Sequence, residues 1–145
     1  MYYGTEILMT STPDHGIVRT DFPGGWDGDK VNAFTGEGLT DIQKEAQAFV
    51  SQLLKWRKTA AAIHTGKLTH YVPQNGVYVY FRYTDDEKVM VILNKNKTET
   101  KLDMTRFEEM MGGYSTGKDV ISSKIFSLDD DIQLPMNDVL VLELK

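Results

Sequence analysis

The sequence contains no cysteine. That removes disulfides, thiol catalysis and thiolate metal sites, and it leaves the compartment open. No run of about 18 apolar residues occurs, which is the minimum for a membrane-spanning helix. Basic residues are in deficit: 16 Lys and Arg face 21 Asp and Glu, a net charge of −5. A nucleic-acid backbone as main partner calls for clustered Lys and Arg, so that class is set aside as well. The start, Met1-Tyr2-Tyr3-Gly4-Thr5-Glu6, lacks a basic n-region, so no signal peptide is expected. His15, His64 and His70 lack ligand spacing, and each reads as a surface or hydrogen-bonding residue. No metal or cofactor is expected.

The motifs that carry chemistry are also wanting. Gly112 to Lys118 has phosphate-loop spacing, but Asp119 stands where Ser or Thr should hold magnesium, and a strand pattern follows. Gly36-Glu37-Gly38 lacks the third glycine and the preceding strand of a dinucleotide fingerprint. Asp27-Gly28-Asp29 departs from the calcium-loop pattern at Val31 and reads as a turn. Asn96-Lys97-Thr98 is a formal glycosylation acceptor, and Asp129-Asp130-Asp131 a solvated turn.

What is present is enough for a core: 41% of the 145 residues are hydrophobic, suiting one domain or a small domain with an appendage. The stretch Thr40 to Ile63 predicts a single helix roughly 35 Å long at 1.5 Å per residue. Thr40 and Gln43 have capping-box spacing, and Asp41 places a negative charge in the positive first turn. On a helical wheel Ile42, Ala46, Phe49, Val50, Leu53, Leu54, Trp56, Ala60 and Ile63 fill about half the circumference. One small core needs an arc of roughly 100°, so the helix is expected to face two bodies. Arg57 falls inside the arc, either reaching a carboxylate or carbonyl there or laying its stem on the core. Gly66 reads as the stop.

Before the helix, residues 1–9 read as one apolar strand entering a turn. A strand this apolar is normally buried on both faces of a larger sheet. Residues 10–39 read as a long irregular loop, which is uncommon inside a compact domain unless functional. Phe22, Trp26, Phe34, Asp14, Asp21, Asp27 and Asp29 are a set suited to lining a polar cleft. Its acids could supply a glycosidase carboxylate pair; a glycine-rich loop is a poor scaffold for one, and cleft-rim or turn roles suit them better. After the helix the period changes to two. Expected strands are 67–72, 77–83, 88–94, 98–104, 119–122, 125–128, 132–134 and 139–144, with a hairpin at Asn75-Gly76 and a helical turn at 106–111. This points to an antiparallel β-sandwich.

The ordered residues resemble a known family. Tyr2-Tyr3-Gly4-Thr5-Glu6-Ile7 resembles the Tyr-Tyr-Gly-x-Glu signature at the eighth barrel strand of the α-amylase family, glycoside hydrolase family 13. Arg19-Thr20-Asp21-Phe22-Pro23-Gly24-Gly25-Trp26 and Asn32-Ala33-Phe34 are similar to the following loop in its neopullulanase and cyclomaltodextrinase branch. Leu54 to Lys58 and Ile63 to Leu68 resemble the eighth barrel helix and its exit. Val77 to Tyr83 and Val89 to Asn94 resemble the first hairpin of the C-terminal sandwich.

The resemblance implies a mainly β fold: an antiparallel C-terminal β-sandwich (64–145), preceded by one long α-helix (40–63) and an irregular remnant of a (β/α)8 barrel (1–39). It implies a C-terminal piece of an α-glucan-hydrolysing enzyme that lacks the catalytic carboxylates and braces the missing barrel. Arg19, Asp21, Phe22 and Trp26 become candidates for contacts to an α-glucan or maltooligosaccharide at the cleft rim, or residues that merely hold the loop together. Two alternatives stand beside this: a small carbohydrate-binding module using Tyr78 and Tyr80, and an intact small hydrolase using Asp21 or Asp29. The helix face and residues 1–9 are expected to be sticky, giving self-association or a disordered N-terminus.

Overall fold

The computed structural model describes residues 1–10 and 20–145. The chain forms two compact units, Met1–Leu54 and Lys55–Lys145.

In the first unit, residues 1–10 form no strand. A 3-10 turn at Thr5–Ile7 is flanked by left-handed backbone at Gly4 (φ 82°) and Leu8 (φ 52°), which bends the chain where a strand was expected. Tyr2 and Tyr3 are exposed, while Ile7 is fully buried with Ala33 and Leu39. Of the loop expected over 10–39, residues 11–19 lie outside the described residues, and residues 20–39 are turns with one bridge, Asn32 to Glu37.

Helix α1 spans Asp41–Arg57. The capping box forms: the Thr40 N–H donates to Gln43 Oε1 (3.0 Å) and the Gln43 N–H to Thr40 Oγ1 (3.4 Å). The expected single helix over 40–63 is interrupted. Both the N–H and the hydroxyl of Thr59 donate to the Trp56 carbonyl at 3.0 Å, and Ala60 is extended (φ −80°, ψ 97°). A second, short helix α2, Ala61–His64, follows. Its ends are held from a distant hairpin. Glu87 Oε2 accepts the Ala62 N–H (3.0 Å), and Arg82 donates to the Ala62 and Ile63 carbonyls (3.2 and 2.9 Å). These partners lie some twenty residues on, out of view of a helical wheel.

The second unit is the β fold. Its strands are β1 (Lys67–His70), β2 (Val77–Tyr83), β3 (Lys88–Asn94), β4 (Thr100–Leu102), β5 (Thr116–Asp119), β6 (Ile125–Ser127), β7 (Ile132–Leu134) and β8 (Val139–Leu144). A 3-10 turn, Thr105–Phe107, leads into α3, Glu108–Met111, after β4. One sheet has order β1-β2-β3-β8-β5-β6, and β4 pairs with β7 in a second; all pairings are antiparallel. The β2–β3 connection to β8 puts Phe81, Met90 and Leu142 in one row, and Val79, Ile92 and Leu140 in the next. These rows meet Phe107, Leu128, Ile132 and Leu134 in one core. Tyr71 stands edge-on to Phe107, with ring centroids 4.9 Å apart.

The Asn75-Gly76 hairpin forms with both residues at positive φ (49° and 75°), the geometry its two-residue turn demands. The Asn96 amide donates to the Asn75 carbonyl (2.7 Å) and to Thr100 Oγ1 (2.9 Å), so the formal glycosylation acceptor is tied into the turn. The strand expected at 119–122 lies earlier, at Thr116–Asp119. Buried Asp119 accepts the Ser122 N–H and hydroxyl (both 2.7 Å) and the Val141 N–H (3.2 Å), which folds 120–123 into a turn. β1 stops at His70, and Val72 is exposed.

Candidate functional site

The loop of the first unit is built by two side chains. The Asp29 carboxylate accepts the N–H groups of Gly24 (2.7 Å) and Trp26 (3.1 Å), closing the 24–29 turn. Asn32 Oδ1 accepts those of Phe34 (2.9 Å) and Thr35 (3.1 Å). Gly24 sits at φ 99°, and a Cβ there would meet the Asn32 side chain at 2.6 Å, so the two turns fit only around a glycine.

The four rim candidates take different positions. Phe22 packs on the Ile7–Ala33–Leu39 cluster and meets Phe34 edge-on at 5.5 Å. Trp26 is 66% exposed on the turn that Asp29 closes, and Asp21 is exposed. Arg19 lies outside the described residues. Of the loop acids, Asp29 is engaged in turn geometry.

A cavity of ≈ 580 Å³ opens in this unit, lined by Glu6, Phe22 and Phe34 on the loop side and by Gln47, Val50 and Leu54 among the residues of α1. Asp21 and Trp26 do not line it. Gln47 Nε2 donates to the Ala33 carbonyl (2.8 Å), tying helix to loop. The role of Glu6 in this wall escapes sequence reasoning, since only its place in the Tyr-Tyr-Gly-Thr-Glu string distinguishes it. α1 has no buried residue, and Ile42 and Leu54 are exposed, with Phe49 at the edge of exposure.

In the second unit, Tyr78 and Tyr80 lie side by side on the sheet face opposite the core. Their ring centroids are 5.7 Å apart and tilted by 37°, and His70 stands edge-on to Tyr78 at 6.2 Å. Both tyrosines are half-buried. Burial pushes the Tyr80 hydroxyl above its usual range, and Tyr78 adds to this; Arg82 and Arg57 pull the other way. Farther along that face Trp56 Nε1 donates to Glu143 Oε1 (2.7 Å). Arg57, for which the wheel left both an inward contact and a solvated head open, is exposed, and its backbone carbonyl contacts His64 Nε2 (2.7 Å).

Residues 68–143 match the family model for the cyclo-malto-dextrinase C-terminal domain. Among solved structures, a maltogenic amylase from S. marinus superposes with a TM-score of 0.65 at 17% identity, over 99% of this chain and 16% of that one. AmyP in complex with maltose gives a TM-score of 0.63 at 19% identity, over 74% of this chain and 22% of that one. A MutB mutant in complex with sucrose gives 0.54 at 20% identity, over 69% and 18%. The chain therefore spans 22% or less of the length of these three structures. The chain belongs to the cyclomaltodextrinase C-terminal domain family.

Proposed function

We propose that this chain braces the catalytic barrel of an α-glucan-hydrolysing enzyme and supplies no catalytic carboxylate itself. The observation that carries the reading is α1: 17 residues without a buried one, presenting Ile42, Phe49 and Leu54. Exposed apolar side chains mark a protein contact; Ile42 and Phe49 share one side of α1, and Leu54 lies about 120–140° round the axis from them. The parent would cleave with retention, through one carboxylate as nucleophile and another as acid/base, both carried on the barrel. Such barrels hold their sites at the C-terminal ends of the strands, among the loops. In that setting Arg19, Asp21 and Trp26 serve the cleft rim, the Trp26 ring against a sugar face and the polar groups against hydroxyls, while Phe22 holds the loop together from the Ile7–Ala33–Leu39 cluster.

The test is co-expression of this chain with a neopullulanase-type barrel polypeptide that lacks its own C-terminal part. Co-purification, lost on changing Phe49 and Leu54 to Asp, is the expected result. Turnover of maltodextrin or pullulan by this chain alone, lost on Asp21→Asn or Asp29→Asn, would overturn the proposal in favour of a small hydrolase.

A second reading, a carbohydrate-binding module, draws on the 5.7 Å spacing and tilt of Tyr78 and Tyr80, which suit two successive rings of a curved glucan. It requires retention on a starch column, competed by maltose and lost in Tyr78→Ala or Tyr80→Ala.

A further inference from the structure

Among the described residues, Glu6 Oε2 is buried with no hydrogen-bond partner. A buried carboxylate oxygen left unpaired is costly, and such groups occur where a partner arrives from elsewhere. Glu6 lines the ≈ 580 Å³ cavity, beside Phe22 and Phe34. Neither Lys44 nor Gln47, which line the same cavity, serves it, and the Gln47 amide is committed to the Ala33 carbonyl. The remaining wall is largely apolar, with Met1, Ala33, Ala48, Val50 and Leu54 beside the single hydroxyl of Ser51. A neutral polar solute finds one acceptor and little else there; a guanidinium finds that acceptor, an opposite charge and two rings, and a docked protein can carry one.

We infer that the protein body docking on α1 seats an arginine side chain in this cavity, with its guanidinium on the Glu6 carboxylate. The inference rests on the docking reading of α1 and names the chemistry of its partner. A guanidinium is planar, pairs with a carboxylate through two parallel N–H donors, and stacks on aromatic rings, which Phe22 and Phe34 provide in the same wall. The terminal torsion of a glutamate is broad and two-fold, so the carboxylate plane can turn toward a donor that enters. An ammonium would satisfy the charge but not use the rings as a plane.

The experiment titrates the 145-residue chain with methylguanidinium chloride, and separately with tetramethylammonium chloride, reading the methyl resonances of Ala48, Val50 and Leu54. Saturable shifts with methylguanidinium alone are expected, weakening roughly tenfold in Glu6→Gln, which corresponds to ~1.4 kcal/mol. Should Glu6→Gln fail to fold, Ala48→Leu, which fills the cavity from the helix side, must abolish the shifts instead. Absence of shifts in the native chain, equal shifts with tetramethylammonium, or shifts that persist in both variants overturn the pairing. None of those results bears on the docking of α1, which the barrel co-purification reads separately.

Discussion

Replacing Arg82 with Leu should destabilise the β unit by ~2–4 kcal/mol. Arg82 Nε and Nη2 donate to the carbonyls of Ala62 and Ile63 at 3.2 and 2.9 Å. Hydrogen bonds from a charged donor contribute about 1.5–3 kcal/mol each, and a half-buried site with partial access to water lies toward the lower end of their sum. Leu removes the donors and leaves two carbonyls at the end of α2 without them, whereas Lys can serve one and should recover about half the loss. The assay is urea unfolding followed by Trp56 fluorescence in a Trp26→Phe background. Trp56 is hydrogen-bonded to Glu143, and Trp26 is exposed and would add only background. With a slope of about 1–3 kcal/mol per molar urea, the midpoint should fall by roughly 1–2 M. A fall below about a quarter of that, or a Lys variant no better than Leu, would refute the idea that Arg82 fixes α2.

Other substitutions test other joints. Gly76→Ala should cost about 1–3 kcal/mol in the same unfolding assay, because φ is 75° and a Cβ there runs into the Asn96 side-chain oxygen. Asp119→Ala should lower stability by about 2–4 kcal/mol, since the Ser122 N–H and hydroxyl and the Val141 N–H lose their acceptor; Asp119→Asn should lose less. Phe107→Ala, which empties the centre of the core, should cost about 3–5 kcal/mol.

The surface pair Lys101–Asp131, 2.7 Å apart, has a pH signature. The hydrogen bond from Lys101 holds the Asp131 carboxyl below its usual range, so the stabilisation is present above the unfolded carboxyl's pKa and lost as pH falls through the lower folded one. The same hydrogen bond raises Lys101, whose contribution is present below the unfolded ammonium's pKa and lost as pH rises through the higher folded one. An NMR titration of the Asp131 carboxyl should show its midpoint rise in Lys101→Met, with no measurable change in the urea midpoint at neutral pH.

The β unit was legible because its signals are local. Val77 to Tyr83 alternates along its length, Asn75-Gly76 is a turn by backbone chemistry, and the strand reading 88–94 coincides with β3. The alternation of Leu140, Leu142 and Leu144 likewise named the core side of β8. The misreadings have distant or positional causes. α1 stops at Arg57 because Thr59 bonds back to Trp56, and α2 takes its orientation from Arg82 and Glu87; a wheel sees only spacing. Asp119 was placed at the start of a strand, but its carboxylate closes the turn that follows. Apolar composition at 1–9 suggested extension, while the left-handed Gly4 and Leu8 turn the chain and send Ile7 inward. Of the rim set, offered as sugar contacts or as residues holding the loop together, Phe22 packs on the Ile7–Ala33–Leu39 cluster. The turn reading of Asp27-Gly28-Asp29 agrees with the Asp29 carboxylate closing the 24–29 turn, while Asp21 is exposed.

We propose α1 as the docking surface for a catalytic barrel. The most direct test is maltodextrin hydrolysis by a neopullulanase-type barrel lacking its C-terminal part, with this chain added back. The native chain should restore turnover, the chain with Phe49 and Leu54 both changed to Asp should not, and the chain alone should show none. Restoration by the doubly changed chain equal to that by the native one would contradict the docking.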